Sequence, residues 1–451
     1  MSLGFELKGK AQFLLKLLGR KRVVEFTEVE EEDDNLQFDL LVEMSENGKC
    51  FEEELLTKTT EDQKETEDAI AKIYDDILES GNLPHLMKIK HARFLQAGLA
   101  QLPPMFKALD ASQPWILYWC LNSLNLLGID PPQDVKKQIV SKVLALQHKD
   151  GGIGGGLGQF GHIASTYAGI LALAIAGDGE SFDRLDRKKM YEWLMSLKQK
   201  DGSFVMHVGG EKDTRAVYCS LVVASLLDII SEELVEGTAE WLAQCQTFEG
   251  GFGGAPFDEA HGGYTFCAAA ALLILGKEVL LKHINLEKLI QWTVTKQLSL
   301  EGGFSGRSNK LVDGCYSFWV GGLIPMFDIL VGSEVASRAA LQNYILSCCQ
   351  HEQMGGLRDK PGKNPDFYHS NYVLLGLSVV QNKFAIDQDQ LERNEKINSL
   401  DSLAYSISST PIEPSVVKAE REDIIKTINP IFGLPEGVAE HFKAHYASQK
   451  E

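Results

Sequence analysis

The chain has 451 residues, 44% of them hydrophobic, with 44 Lys and Arg against 63 Asp and Glu and a net charge of −19. That size supports a large core, while the charge argues against nucleic acid and anionic membrane as partners, so any anionic substrate needs a local basic site. No apolar run is long enough to span a bilayer, so the chain does not read as an integral membrane protein; eight cysteines without C-x-x-C pairs read as reduced thiols of a cytoplasmic protein.

In chain order, the opening "MSLGFELKGKAQFLLKLLGRKRVVEF" is basic and amphipathic, and reads as an arm or a surface helix. Residues 27–68 are rich in Glu and Asp and predict a solvated, flexible lead-in. The expected division is a flexible extension over 1–68 and a folded domain over 69–451. "SQPWILYWCLNSLNLLG", 112–128, reads as a first buried helix.

Five stretches then align on Gln147, Gln199, Gln246, Gln297 and Gln350, at intervals of 52, 47, 51 and 53 residues. Each unit predicts an amphipathic helix ending at Gln, a Gly-rich loop, and a second helix. The first helices carry charge on one face, as in "FDRLDRKKMYEWLMSLKQ"; the second are apolar nearly all round, as in "YTFCAAAALLILG". A helix apolar on every side must be buried on every side. Helix pairs with one buried member predict two concentric rings: an all-α, α/α toroid of about six hairpins, with the segment after Gln381 expected to close it.

The repeat also aligns polar residues. Counting from His162, Asp213, His261, Asp313 and Phe367 as helix openers, aromatics fall five further on, at Tyr167, Tyr218, Phe266, Phe318 and Tyr372. Two further on, Cys315 and His369 hold equivalent places, with Asp313 close by. Thiolate, imidazole and carboxylate form a three-ligand zinc set with a fourth place open, although the spacing matches none of the short zinc motifs. The bland alternative is a helix-capping Asp before a buried Cys. Asp366 and Tyr368 adjoin His369 as partners that orient it, or as a cap and a packed aromatic. Arg307, Lys310, His261 and Tyr316 form a basic cluster suited to phosphate oxygens. Trp115, Tyr118, Trp119, Tyr218, Cys267 and Trp319 lie in or beside the apolar helices, as core or as the wall of a cavity for a long apolar diphosphate.

"LDASQPWILYWCLNSL", "DTRAVYCSLVVASL", "FEGGFGGAPFDEAHGGYTFC", "GGFSGRSNKLVDGCYSFW", "GGLRDKPGKNPDFYHSNY" and "NPIFGLPEGV" resemble the protein prenyltransferase β subunits, farnesyl-transferring members in particular, over roughly 85–445. The resemblance implies an α/α barrel with zinc held by Asp313, Cys315 and His369. It implies diphosphate binding by His261, Arg307, Lys310 and Tyr316, and an isoprenoid pocket lined by Arg215 and Tyr218. Asp359 matches the acid linked to Mg2+ dependence. Trp115 and Tyr372 match a bulky pocket floor that favours farnesyl over geranylgeranyl. It further implies farnesyl diphosphate and the C-terminal CaaX cysteine of a protein as substrates, and an α subunit as obligate partner. The nearest alternative is a type I geranylgeranyltransferase β subunit. A terpene cyclase started by protonation needs a D-x-D-D-like acid cluster, absent near the repeats; a binding-only repeat protein predicts no metal; a glycan-cleaving barrel leaves the Cys and His unexplained. Residues 385–415 carry no functional motif.

Overall fold

The computed structural model describes residues 56–417 and 420–449; the basic arm and most of the acidic lead-in lie outside them. The principal helices are α1 (Lys58–Ser80), α2 (Lys88–Gly98), α3 (Gln113–Leu126), α4 (Gln133–Ala145), α5 (Ile163–Ala176), α6 (Arg187–Leu197), α7 (Thr214–Leu226), α8 (Thr238–Gln244), α9 (Gly262–Leu275), α10 (Leu286–Thr295), α11 (Tyr316–Trp319), α12 (Leu323–Val331), α13 (Arg338–Cys348), α14 (Phe367–Gln381), α15 (Gln388–Ile397) and α16 (Val438–Ala447). They fall into two compact units. One joins the residues up to His91 with Leu286–Ala385 and Ser409–Ile425; the other joins Ala92–Asn285, Ile386–Ser408 and the residues from Lys426 onward.

The repeat is physical. In each loop an antiparallel bridge closes the first turn: Gln147 with Ile153, Lys198 with Phe204, Gln246 with Phe252, Gln297 with Phe304, and Gln350 with Leu357. The anchor of the second repeat is therefore Lys198, not Gln199. The anchor side chain explains the preference for Gln. An amide both donates and accepts, so Gln297 bonds the N–H and C=O of Ser337 (2.9 and 2.8 Å), just before α13. Gln246 does the same with Asn285 before α10, and Gln350 takes the Met87 N–H and gives to the His85 carbonyl before α2. Lys198 can only donate, and it spans the Leu234 and Glu236 carbonyls before α8. Lys198, Gln246, Gln297 and Gln350 thus tie their loops to the residues that precede another amphipathic helix. The last anchor finds its partner at the chain's beginning, in residues 85–87, and not in the segment after Gln381.

The apolar helices are buried as their composition requires. In α9 only the first turn is partly exposed, and Leu272, Leu273 and Ile274 have no accessible surface; each such side chain contributes roughly 1.5–3 kcal/mol. Within the second unit α3 packs on α5, α5 on α7 and α7 on α9. Their N-termini are capped by His162, Asp213 and His261, whose side chains accept from the backbone N–H two residues on. A buried hydroxyl four residues past the cap, Thr166 or Thr265, then takes the N–H of the bridge residue Ile153 or Phe252.

The N-terminal boundary differs from expectation. α1 starts at Lys58 behind a Thr57 capping box and runs across position 68/69. Its buried stripe is only Ile70, Tyr74 and Ile77, which explains why composition hid it. Tyr74 donates to the Glu301 carbonyl at 2.7 Å, and α1 packs on α13. Near the other end, residues 428–435 form a small hairpin whose Gly433 and Ile431 carbonyls accept from the hydroxyls of Tyr118 and Tyr218 at 3.0 and 2.8 Å.

Candidate metal centre

The fourth and fifth repeats depart from the others where the site lies. The apolar helix of the fourth is broken: α11 lasts one turn, the chain passes Gly321 and Gly322, and α12 resumes. Asp313 sits at the usual cap position and its Oδ1 accepts from the Cys315 N–H at 2.8 Å. In the fifth repeat the cap is Asp366, which accepts from the His369 N–H at 2.7 Å. Asp313 bonds the Phe304 carbonyl and Asp366 the Leu357 carbonyl through their N–H groups, so these two acids are the structural equivalents. The expected register is thus one residue off in the last repeat. Tyr368, not His369, matches Cys315, and His369 matches Tyr316.

The two segments nonetheless converge. α11 packs on α14, and the contact is close because Gly376 faces Ser317: a Cβ there would lie 2.4 Å from the Ser317 Cβ. One ligand atom each from Asp313, Cys315 and His369 lies within 4.8 Å of the others. His369 Nδ1 is 2.6 Å from Asp366 Oδ2. Its Nε2 is buried and 3.2 Å from Asp313 Oδ1, yet lacks the alignment of a hydrogen bond. Asp366 is therefore both cap and orienting partner.

The electrostatics describe a set awaiting a cation. Burial, then the Asp313 charge, pushes the Cys315 thiol well above its ordinary value. Burial opposes a charged His369, but Asp313 and Asp366 outweigh it and hold the imidazolium up to about 10. Burial likewise opposes Asp313, yet His369 and the Cys315 N–H keep its carboxyl below the usual range. One thiol, one imidazole nitrogen with its other nitrogen tied to a carboxylate, and one carboxylate fit a tetrahedral ion that keeps a fourth position open.

Around this centre, Tyr368 Oη accepts from the Trp319 indole N–H at 3.0 Å, and Trp319 stacks on Tyr372 with centroids 4.4 Å apart. Asp359 takes the Gly314 N–H on its carbonyl at 2.7 Å. Lys360, which the sequence reading did not single out, has Nζ 2.5 Å from both Asp359 carboxylate oxygens. Tyr316 lies against the 305–312 loop: a Cβ on Gly306 would fall 2.0 Å from its Cζ. Burial raises the Tyr316 hydroxyl, and Arg307 works in the opposite sense. Arg307 is half-buried and Lys310 exposed on that loop.

The second unit holds the remaining expected residues. His261 caps α9. Arg215 pairs with Asp213 at 2.6 Å and lies over the Tyr264 ring. Trp115, Trp119, Tyr167, Tyr218 and Phe266 make a run of ring contacts at 5.5–5.7 Å, and Cys267 is buried beside them in sequence. A cavity of about 410 Å³ opens beside Trp115, lined also by Ser112, His162, Ala164, Ser165 and His207. Trp115 was expected to wall a cavity; Ser112, Ala164, Ser165 and His207 were not singled out as its lining.

Comparison with known proteins agrees with this architecture. The family described as the prenyltransferase alpha-alpha toroid domain matches residues 86–434. The chain is 42% identical over 448 residues to the protein farnesyltransferase subunit beta of Saccharomyces cerevisiae, covering 97% of each. It is 40% identical to that of Schizosaccharomyces pombe, covering 88% of this chain and 98% of the relative. Among solved structures, Candida albicans protein geranylgeranyltransferase-I complexed with GGPP superposes with a TM-score of 0.60 at 21% identity, covering 80% of this chain and 99% of that one, a likeness of fold.

Proposed function

The chain belongs to the protein farnesyltransferase β-subunit family, and we propose that it is the metal-bearing half of a heterodimer, with zinc held by Asp313, Cys315 and His369. It is a prenyltransferase that moves a farnesyl group onto a protein cysteine. The observation that carries the zinc reading is the Asp–Cys–His set with a buried His369 Nε2 that makes no hydrogen bond.

Held by Asp313, Cys315 and His369, zinc would supply Lewis acidity that lowers the pKa of an entering thiol into the neutral range. Asp366 holds His369 Nδ1 at 2.6 Å, which favours the tautomer with the proton on Nδ1 and leaves Nε2 as the nitrogen that would hold the ion. The CaaX cysteine sulfur attacks C1 of farnesyl diphosphate; the S–C1 bond forms, the C1–O bond breaks, and diphosphate leaves with the electron pair. Arg307, Lys310, Tyr316 and His261 are the donors proposed to meet the charge growing on it. Asp359 provides one carboxylate toward Mg2+, an ion that takes few protein ligands and completes its shell with phosphate oxygens and water.

Trp115 and Tyr372 are proposed as the floor that measures the lipid. Five extra carbons would add about 4 kcal/mol of burial in an open pocket, so preference for the shorter chain needs steric exclusion. An α subunit as partner is supported by exposed apolar side chains on loops of the second unit: Leu157, Phe160, Val208 and Phe257, between 66% and 106% accessible.

The test is a lipid competition. The chain is coexpressed with a matching α subunit and given a CaaX peptide with both farnesyl and geranylgeranyl diphosphate, with and without a zinc chelator. Chelator-sensitive farnesyl product is expected; geranylgeranyl product would keep the chemistry and remove the floor. Cys315→Ala is expected to lose zinc while still binding lipid diphosphate, and retained zinc would remove the metal assignment.

A further inference from the structure

We propose that Lys360 is a tethered counter-ion that a divalent cation must displace from Asp359, so that this lysine sets how tightly the cation binds and couples it to diphosphate. The inference rests on the functional reading above and concerns the same site.

Three observations carry it. The Lys360 ammonium is 2.5 Å from both oxygens of the Asp359 carboxylate, so both acceptors are engaged at once. The pair is largely withdrawn from water, the two side chains being 10% and 19% accessible, so its charges are little screened. And the pair is fixed at the metal centre, because the Asp359 carbonyl accepts from Gly314, between Asp313 and Cys315. Without a counter-ion, a second buried carboxylate would stand unpaired beside Asp313; a neighbouring lysine removes that cost.

The same pairing has a consequence for binding. A divalent cation on Asp359 frees the ammonium. The local charge then rises by the cation's two units, with Lys360 released from its partner. That gain is unfavourable in isolation and favourable once a diphosphate supplies negative charge. The lysine thus penalises cation binding before diphosphate is present and relaxes the penalty afterwards, a coupling of the two ligands.

The experiment uses the zinc-loaded heterodimer, first shown to make farnesyl product, and titrates Mn2+ by electron paramagnetic resonance with and without inorganic pyrophosphate. In the parent protein, pyrophosphate should tighten Mn2+ binding. In Lys360→Met, Mn2+ alone should bind about tenfold more tightly, and the enhancement by pyrophosphate should shrink. Asp359→Asn and the double variant Asp359→Asn/Lys360→Met should lose the site whether or not Lys360 is present. Zinc content and melting temperature report folding. Unchanged Mn2+ affinity in Lys360→Met, with zinc content intact, overturns the proposal. So does a site that persists in Asp359→Asn. Failure of the parent to form farnesyl product would instead overturn the functional reading.

Discussion

Asp366 does two jobs that a pair of substitutions can separate. Its Oδ1 caps α14 through the His369 N–H at 2.7 Å, and its Oδ2 holds His369 Nδ1 at 2.6 Å. Asn caps a helix about as well as Asp, whereas Ala costs about 1 kcal/mol. Asp366→Asn should therefore keep the melting temperature within a degree or two, and Asp366→Ala should lower it. Zinc affinity should respond differently. Loss of a partner that orients a ligating imidazole costs about 10–100-fold, or about 1.4–2.8 kcal/mol. The amide has one oxygen, and once it caps the His369 N–H only its NH2 group is left facing Nδ1, so a loss of at least about tenfold is expected for Asn and about a hundredfold for Ala. Competition against a chromophoric chelator on the heterodimer measures this. If Asp366→Ala melts earlier but holds zinc within twofold of the parent, Asp366 is a cap and nothing more, and the account of His369 fails.

Four further outcomes follow from the structure. His369 is held up to about 10 without metal and Cys315 lies well above its usual value, so both should shed a proton when the ion enters. Apparent zinc affinity should then climb about a hundredfold per pH unit between 6 and 8, with two protons released per ion in a weakly buffered indicator assay; a pH-independent affinity would contradict this. For the metal-free fold the sign is the reverse: the raised His369 value contributes stability fully present below about 6.5 and lost as pH climbs through about 10, visible as a falling melting temperature in chelator at alkaline pH. Gln297→Ala removes two part-buried hydrogen bonds to the Ser337 backbone, which should destabilise by about 1–2 kcal/mol; a loss under half a kilocalorie would show the clamp to be incidental. Gly306→Val would put a side chain into the Tyr316 ring. The transfer rate should drop about a hundredfold with zinc content unchanged, and a normal rate would remove Tyr316 from the reaction.

Much of this molecule was legible in its sequence because a repeat turns local patterns into global ones. Once a 50-residue unit recurs, apolar helices such as α9 must be buried among their equivalents. The residues at loop-to-helix junctions must also recur at equivalent places, which brought Asp313, Cys315 and His369 to notice together. Hydrophobic periodicity and cap chemistry are properties of a few adjacent residues, and adjacent residues are what a sequence displays. The slips came where a single residue mattered: Gln199 for Lys198, and a register one position off around His369. Register is set by which N–H meets which carbonyl, as Asp366 meets Leu357, and side-chain type does not reveal that pairing.

What only the tertiary structure decided were contacts between distant segments. Gln350 closes on residues 85–87 because its amide needs both a donor and an acceptor there, and the start of the chain, not its later part, supplies them. α1 is ordered because Tyr74 reaches the Glu301 carbonyl, a bond invisible in an acidic, soluble-looking stretch. Lys360 engages Asp359 because burial leaves that carboxylate little access to water. The sequence by itself determined the helical repeat and singled out Asp313, Cys315 and His369 as the proposed ligands, since both readings follow from local chemistry. The orientation of His369, the closeness of α11 to α14 and the pairing of Asp359 follow from packing, where one absent Cβ or one shared oxygen selects among arrangements that composition leaves equal.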